Sequence, residues 1–235
     1  MLILAIESSA KPASAAVLET AVESRDRKQA GKLLGLYFQN NGFSHSRTML
    51  VMAESLLNNL DIKPADLGLI AVSQGPGSFT GVRIGVSAAK GLAWGLDIPV
   101  CGVSTLEAMA YQTPEQGVII CPVMDARRGQ VYNALFEWRE KTLVRLTDDR
   151  AISMEELSSE LRDFDRPCLL VGDGTAVCEA NSAFKDCRIA SELQRYQTAY
   201  GVALAAMNAK PVSAAELEPS YLRPSQAERE RANKG

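Results

Sequence analysis

The feature that most constrains this chain is a pattern that occurs twice. An apolar run, Leu2 to Ile6, stops at Glu7, turns through Ser8, Ser9, Lys11 and Pro12, and resumes from Ala13 to Leu18. In the second half, Val118 to Met124 stops at Asp125, turns through Arg127-Arg128-Gly129, and continues as the alternating stretch Val131 to Trp138. A short apolar run ending in a glycine turn follows in each half: Leu67–Val72 before Gly75-Pro76-Gly77, and Leu169–Val171 before Gly172-Asp173-Gly174. Short apolar runs bounded by Gly, Pro and polar clusters read as strands, and their recurrence in one order reads as an internal duplication. The expected fold is α/β, with two related lobes around mixed sheets. The first lobe is expected over residues 1–106 and a shortened second over 107–215, its last helix packing back towards the first. A charged tail is expected over 216–235.

Between these landmarks, Lys32–Gln39 reads as a third strand. Ser44 is placed to cap a helix running to about Leu60. Further helices are expected from Phe79 to Gly95, from Ser104, over Ser153–Leu161 and over Gln194–Asn208, with strands at Pro99–Val103 and Thr142–Leu146. The charged stretch Glu19–Gln29 has no apolar period and reads as an exposed loop.

Composition narrows the chemistry. With 25 Lys and Arg against 28 Asp and Glu, no basic excess exists to hold a phosphate backbone, so stand-alone nucleic-acid binding is not expected. Five Cys with no C-x-x-C, three of them (Cys101, Cys121 and Cys168) in or beside Val/Ile/Leu runs, read as buried thiols of a reducing, cytoplasmic setting. Met1–Ile6 is too short for a signal peptide or a membrane span. A single His, His45, is followed one helical turn later by Met49, which leaves a transition-metal pair without its second ligand.

Two features carry functional weight. The turn Gly75–Gly81 (GPGSFTG) lies between a strand and a helix, where backbone N–H groups can cradle a phosphate. It lacks the Lys-Ser or Lys-Thr of a Walker loop and serves equally as a tight turn. The helix after it is apolar nearly all round, its polar residues confined to a strip holding Arg83, Ser87, Lys90 and Trp94. Gly81, Gly85 and Ala89 form a small-residue ridge along it, and the preceding helix carries an apolar arc wider than the usual ~100°. Either the two helices bury each other, or they offer a shared face to a partner. Glu7 and Asp125 end their strands where a catalytic carboxylate or a Mg²⁺-water ligand sits in some enzymes, although strand-end acids are also structural.

The string from Ala71 to Ala110, with Leu2–Ser9 and Met124–Tyr132, resembles the bacterial TsaB (YeaZ) family of tRNA threonylcarbamoyladenosine biosynthesis proteins. The resemblance implies the actin-like fold shared with sugar kinases and Hsp70, with a truncated second lobe. It implies a non-catalytic partner of TsaD, acting with the ATPase TsaE in attaching threonylcarbamoyl to adenosine 37 of tRNA. It also implies a homodimer in isolation, and tRNA bound only through the complex. The partner face is placed at His45, Met49, Met52, Gly81, Gly85, Ala89, Leu92 and Trp94. No catalytic residue, metal or required cofactor is expected. ATP or ADP at a partner joint stays open, with Glu7, Ser8, Asp125, Gly172 and Gly174 as the nucleotide contacts. The rival reading is an ATPase or small-molecule kinase using Glu7, Asp125 and both glycine turns.

The chain departs from the family at several points. His45 and Met49 stand where TsaD carries two metal-binding His, and Glu7-Ser8-Ser9 replaces Asp-Thr-Ser. Arg127 takes the place of a Gly, its long side chain occupying space that a phosphate needs, and the Glu19–Gln29 loop is longer than the usual hairpin.

Overall fold

A computed structural model describes residues 1–20, 31–42 and 45–223. The Ser44 cap, most of the Glu19–Gln29 loop and the tail beyond Arg223 lie outside the described residues. The first half contains β1 (Leu2–Glu7), β2 (Ala13–Thr20), β3 (Gly31–Gln39), α1 (His45–Asn59), β4 (Leu67–Gly75), α2 (Phe79–Leu96), β5 (Val100–Ser104) and α3 (Thr105–Tyr111). The second contains β6 (Ile119–Arg127), β7 (Gln130–Asn133), β8 (Phe136–Arg139), β9 (Thr142–Arg145), β10 (Arg150–Ser153), α4 (Met154–Arg162) and β11 (Cys168–Val171). It continues with α5 (Thr175–Glu179), β12 (Arg188–Ile189), α6 (Glu192–Arg195) and α7 (Ala199–Ala206).

The two sheets repeat one plan. In the first, the strand order is β3-β2-β1-β4-β5, antiparallel through β1 and parallel beyond it. In the second, β10-β7-β6-β11-β12 follows the same sequence of pairings, with β8 and β9 added as a hairpin. The central strands β1 and β4 are apolar on both sides because both faces of the first sheet are covered. α1 and α2 pack on one face, around Met49, Leu56, Val82 and Val86. α3 and the Ala-rich α7 pack on the other, around Ile3, Ala108 and Val202. α3 also reaches β6, so Leu106 and Met109 join the core beneath the second sheet.

Helix starts follow local chemistry. The Ser78, Ser104 and Thr198 hydroxyls accept from the N–H of Gly81, Glu107 and Gly201, opening α2, α3 and α7. Ser153 and Glu156 form a reciprocal capping box on α4.

Two expected elements divide. The stretch Val131–Trp138 breaks at Ala134–Leu135, because the buried Asn133 amide donates to the carbonyls of Pro122 and Ala134 and holds a kink. β7 then pairs with β6 and β10, whereas β8 pairs with β6 and β9. The helix expected over Gln194–Asn208 becomes α6 and α7, since Tyr196 and Thr198 are extended and Thr198 caps a new start. Residues 212–223 lie along the first lobe. Val212 bridges to Val100, Leu217 is buried, and Lys90 donates to the carbonyls of Ala215 and Leu217.

Candidate functional site

A cleft of about 800 Å³ opens between the lobes, walled by Ser9, His45, Phe79, Asp125, Asp173 and Tyr221 among others. Its acids are Asp125, near the end of β6, and Asp173, just after β11.

Glu7 is fully buried and accepts from the Ser9 N–H at 2.5 Å. Burial pushes its carboxyl above the usual range, against the pull of the Ser9 N–H and of the neighbouring Ser9 and Ser73 hydroxyls; nearby Asp173 raises it further. Burial also raises Asp173, against a hydrogen bond from Gln197. A carboxyl raised by folding contributes stability that is complete below its unfolded value of about 4.5 and is lost as pH climbs through the raised value. Glu7→Gln keeps the shape without the titration. Its melting temperature is therefore expected to match the parent near pH 4 and to exceed it by a margin that widens towards neutral pH. Parallel thermal melts across that range check the trend, and a margin that shrinks with rising pH contradicts it.

The turns that would hold phosphate are closed on themselves. In the first lobe the Ser8 hydroxyl donates to the Gly81 carbonyl at 2.9 Å, and the Ser78 N–H donates to the Ser9 carbonyl at 2.6 Å. In the second, the Gly172 N–H donates to Arg195 and the Gly174 N–H to Val123. Gly172 has φ +103°, and a Cβ there would lie 2.2 Å from the Val123 carbonyl oxygen, so only glycine fits. Asp125 accepts from the Arg127 N–H at 2.7 Å and pairs with its guanidinium at 3.2 Å. The Arg127 side chain is 83% exposed and folds back on this acid at the rim of the cleft. Of the five expected nucleotide contacts, Asp125 alone lines the cleft. Glu7, Ser8, Gly172 and Gly174 are packed behind it.

His45 donates through Nε2 to the Ala10 carbonyl at 2.7 Å, which ties the start of α1 to the first turn. Among the described residues no three His, Cys, Asp or Glu side chains gather as metal ligands.

The expected partner face divides in two. Gly81, Gly85 and Ala89 are buried against the lobe's own sheet: a Cβ on Gly81 would meet the Ser8 carbonyl oxygen at 2.2 Å, and one on Gly85 the Ser8 hydroxyl at 2.4 Å. The ridge lets α2 approach β1, not another molecule, and its placement on the partner face is corrected accordingly. Met49 is likewise core, while Met52 and Leu92 are half-buried. Trp94 is 76% exposed near the end of α2, and Leu50 and Val51 are exposed on α1. Sequence reasoning did not find that this chain covers part of its own α2. Tyr221 stacks on Phe79 at 4.7 Å and accepts from Arg83, and Arg223 crosses to the Ala126 carbonyl. The aromatic in Pro219-Ser220-Tyr221 was the available signal.

A family model described as TsaD, tRNA N6-adenosine threonylcarbamoyltransferase, matches residues 38–230. The chain is 42% identical to the tRNA threonylcarbamoyladenosine biosynthesis protein TsaB of Bacillus subtilis over 57% of its own length. In that match it spans 58% of the relative, little more than half. It is 28% identical to TsaB of Haemophilus influenzae, over 94% of this chain and 93% of that one. The structure of YeaZ from Pseudomonas aeruginosa superposes with a TM-score of 0.74 at 23% identity, covering 94% of this chain and 99% of that chain. The duplicated two-sheet arrangement is the actin-like fold.

Proposed function

The chain belongs to the TsaD family, described as tRNA N6-adenosine threonylcarbamoyltransferase, and from that premise we propose that it is a non-catalytic subunit which docks on a catalytic TsaD through α1 and α2. The observation that carries the reading is the outward apolar set Leu50, Val51 and Trp94 on two neighbouring helices, each more than half exposed. Large apolar side chains left exposed on a pair of helices favour burial by a partner. The same face serves a homodimer, which TsaD displaces, and TsaE joins the assembly as its ATPase. Threonylcarbamoyl transfer to adenosine 37 belongs to TsaD. The tRNA is held by the complex, because this chain, at net charge −3, offers no basic excess for a phosphate backbone. The setting is the bacterial cytoplasm, and among the described residues no helix is long and apolar enough to cross a membrane.

The closed turns support the non-catalytic part of the reading, since the N–H groups of Ser78, Gly172 and Gly174 already donate to carbonyls of this chain. A nucleotide, where one is used, sits at the joint between partners. The rival is an ATPase or kinase using the interlobe cleft and Asp125. Purified chain incubated with Mg-ATP is expected to turn over far below about 1 s⁻¹, the low end of ordinary enzymes. Turnover at that rate or above, abolished in Asp125→Ala, would establish the rival.

A further inference from the structure

Four of the five cysteines lie on one face of the second sheet. Cys121, Cys168 and Cys178 are in its core, and the half-exposed Cys187 packs against them. β11 and β12 run parallel, with Leu169 opposite Arg188 and Leu170 opposite Ile189. One step back along that register, Cys168 faces Cys187, and both line the same cavity. Neighbouring strands lie about 4.8 Å apart, within the roughly 4.4–6.8 Å that a disulfide accepts between Cα atoms. A cavity of about 420 Å³, lined by both cysteines with Arg162, Arg166 and Phe184, gives a small oxidant access to the pair.

We propose that Cys168 and Cys187 are a modification site, closing to a reversible intramolecular disulfide under a hydroperoxide. The half-exposed Cys187 reacts first. Its sulfur attacks the peroxide O–O bond, becomes a sulfenic acid, and releases water (or the alcohol of an organic peroxide). The Cys168 sulfur then attacks the sulfenic sulfur and displaces its oxygen as a second water. Two thiols are oxidised by two electrons in all, and one peroxide is reduced. The ring so closed contains Asp173, Ala176 and Val177, which wall the interlobe cleft. Contact with Cys168 pushes the Cys187 thiol up, and contact with Cys121 does the same to Cys168. The thiolate is therefore scarce at neutral pH, and closure quickens as pH rises.

The test treats the full folded chain with hydrogen peroxide, quenches it, and follows intact mass, thiol titration in denaturant and non-reducing peptide mapping. Expected are a loss of two hydrogen atoms, two fewer titratable thiols, one cross-linked peptide pair joining Cys168 to Cys187, and full reversal by dithiothreitol. Cys187→Ser is expected to lose the cross-link. The map of the unsubstituted chain decides the matter even if that variant fails to fold. Sulfinic or sulfonic acid at Cys187 without a cross-link, a bond joining a different pair, or no reaction of the folded chain would each overturn the assignment.

Discussion

Gly81→Ala is expected to destabilise the first lobe severely, although it adds one carbon atom to a helix and alanine is the better helix former. The new Cβ would stand 2.2 Å from the Ser8 carbonyl oxygen, a backbone atom at the end of the central strand that cannot step aside as a side chain can. Overpacking of this kind costs about 1–3 kcal/mol, and with backbone on the far side the upper end applies. That is a large part of the ~5–15 kcal/mol by which a domain is stable. The melting temperature should fall by roughly 6–12 °C for a chain of this size. Gly91→Ala on the same helix is the control. Nothing lies within 4 Å of its Cβ position, and the site is solvent-exposed. That change should stabilise by about 0.5–1 kcal/mol, the usual gain from replacing a helical glycine. Denaturant titrations followed by circular dichroism separate the two. Equal and small effects would mean that α2 does not lie against β1 as described. Gly85→Leu falls in the first class, its contact being the Ser8 hydroxyl and Val72, so it reports on folding and not on association.

Trp94→Ala is expected to act in the opposite sense, leaving stability unchanged and weakening association with TsaD at least tenfold. Its side chain is 76% exposed, so truncation opens no cavity in the core. Large aromatics near an interface centre commonly contribute about 2 kcal/mol or more. A titration calorimetry series of wild type, Trp94→Ala and Leu50→Ala against purified TsaD measures the loss. Unchanged binding in both variants removes the α1–α2 face from the assembly.

Much of this was legible in the residues. The acid-ended strand followed by a turn and a return strand, repeated around Glu7 and Asp125, fixed the lobe plan because the period of a strand and the chemistry of its turn are local properties. The capping serines and threonines marked helix starts for the same reason. Direction was harder. The small-residue ridge on α2 announces close approach but not what approaches, and a helix apolar nearly all round does not say which part of that surface its own sheet takes. The deciding contact is between Gly81 and Ser8, 73 positions apart. The split at Asn133 was hidden because its amide answers the Pro122 carbonyl on β6, outside any local window. The tail carried a charged composition, yet Leu217 and Tyr221 give it two anchors that average composition conceals. At the cleft, the glycine turns were visible and their alternatives were not separable, since a phosphate cradle and a close packing of backbone use the same residues.

The central claim is that this chain supports threonylcarbamoyl transfer by presenting a surface, not by doing chemistry in its own cleft. The most direct measurement is a reconstituted transfer assay on unmodified tRNA with TsaD, TsaE and a threonylcarbamoyl donor, run without the chain and with it as wild type, Asp125→Ala or Trp94→Ala. The account predicts transfer that depends on the chain, survives Asp125→Ala, and falls at least tenfold with Trp94→Ala in step with lost TsaD binding. Transfer abolished by Asp125→Ala while TsaD binding is intact, or undiminished by Trp94→Ala, would contradict it.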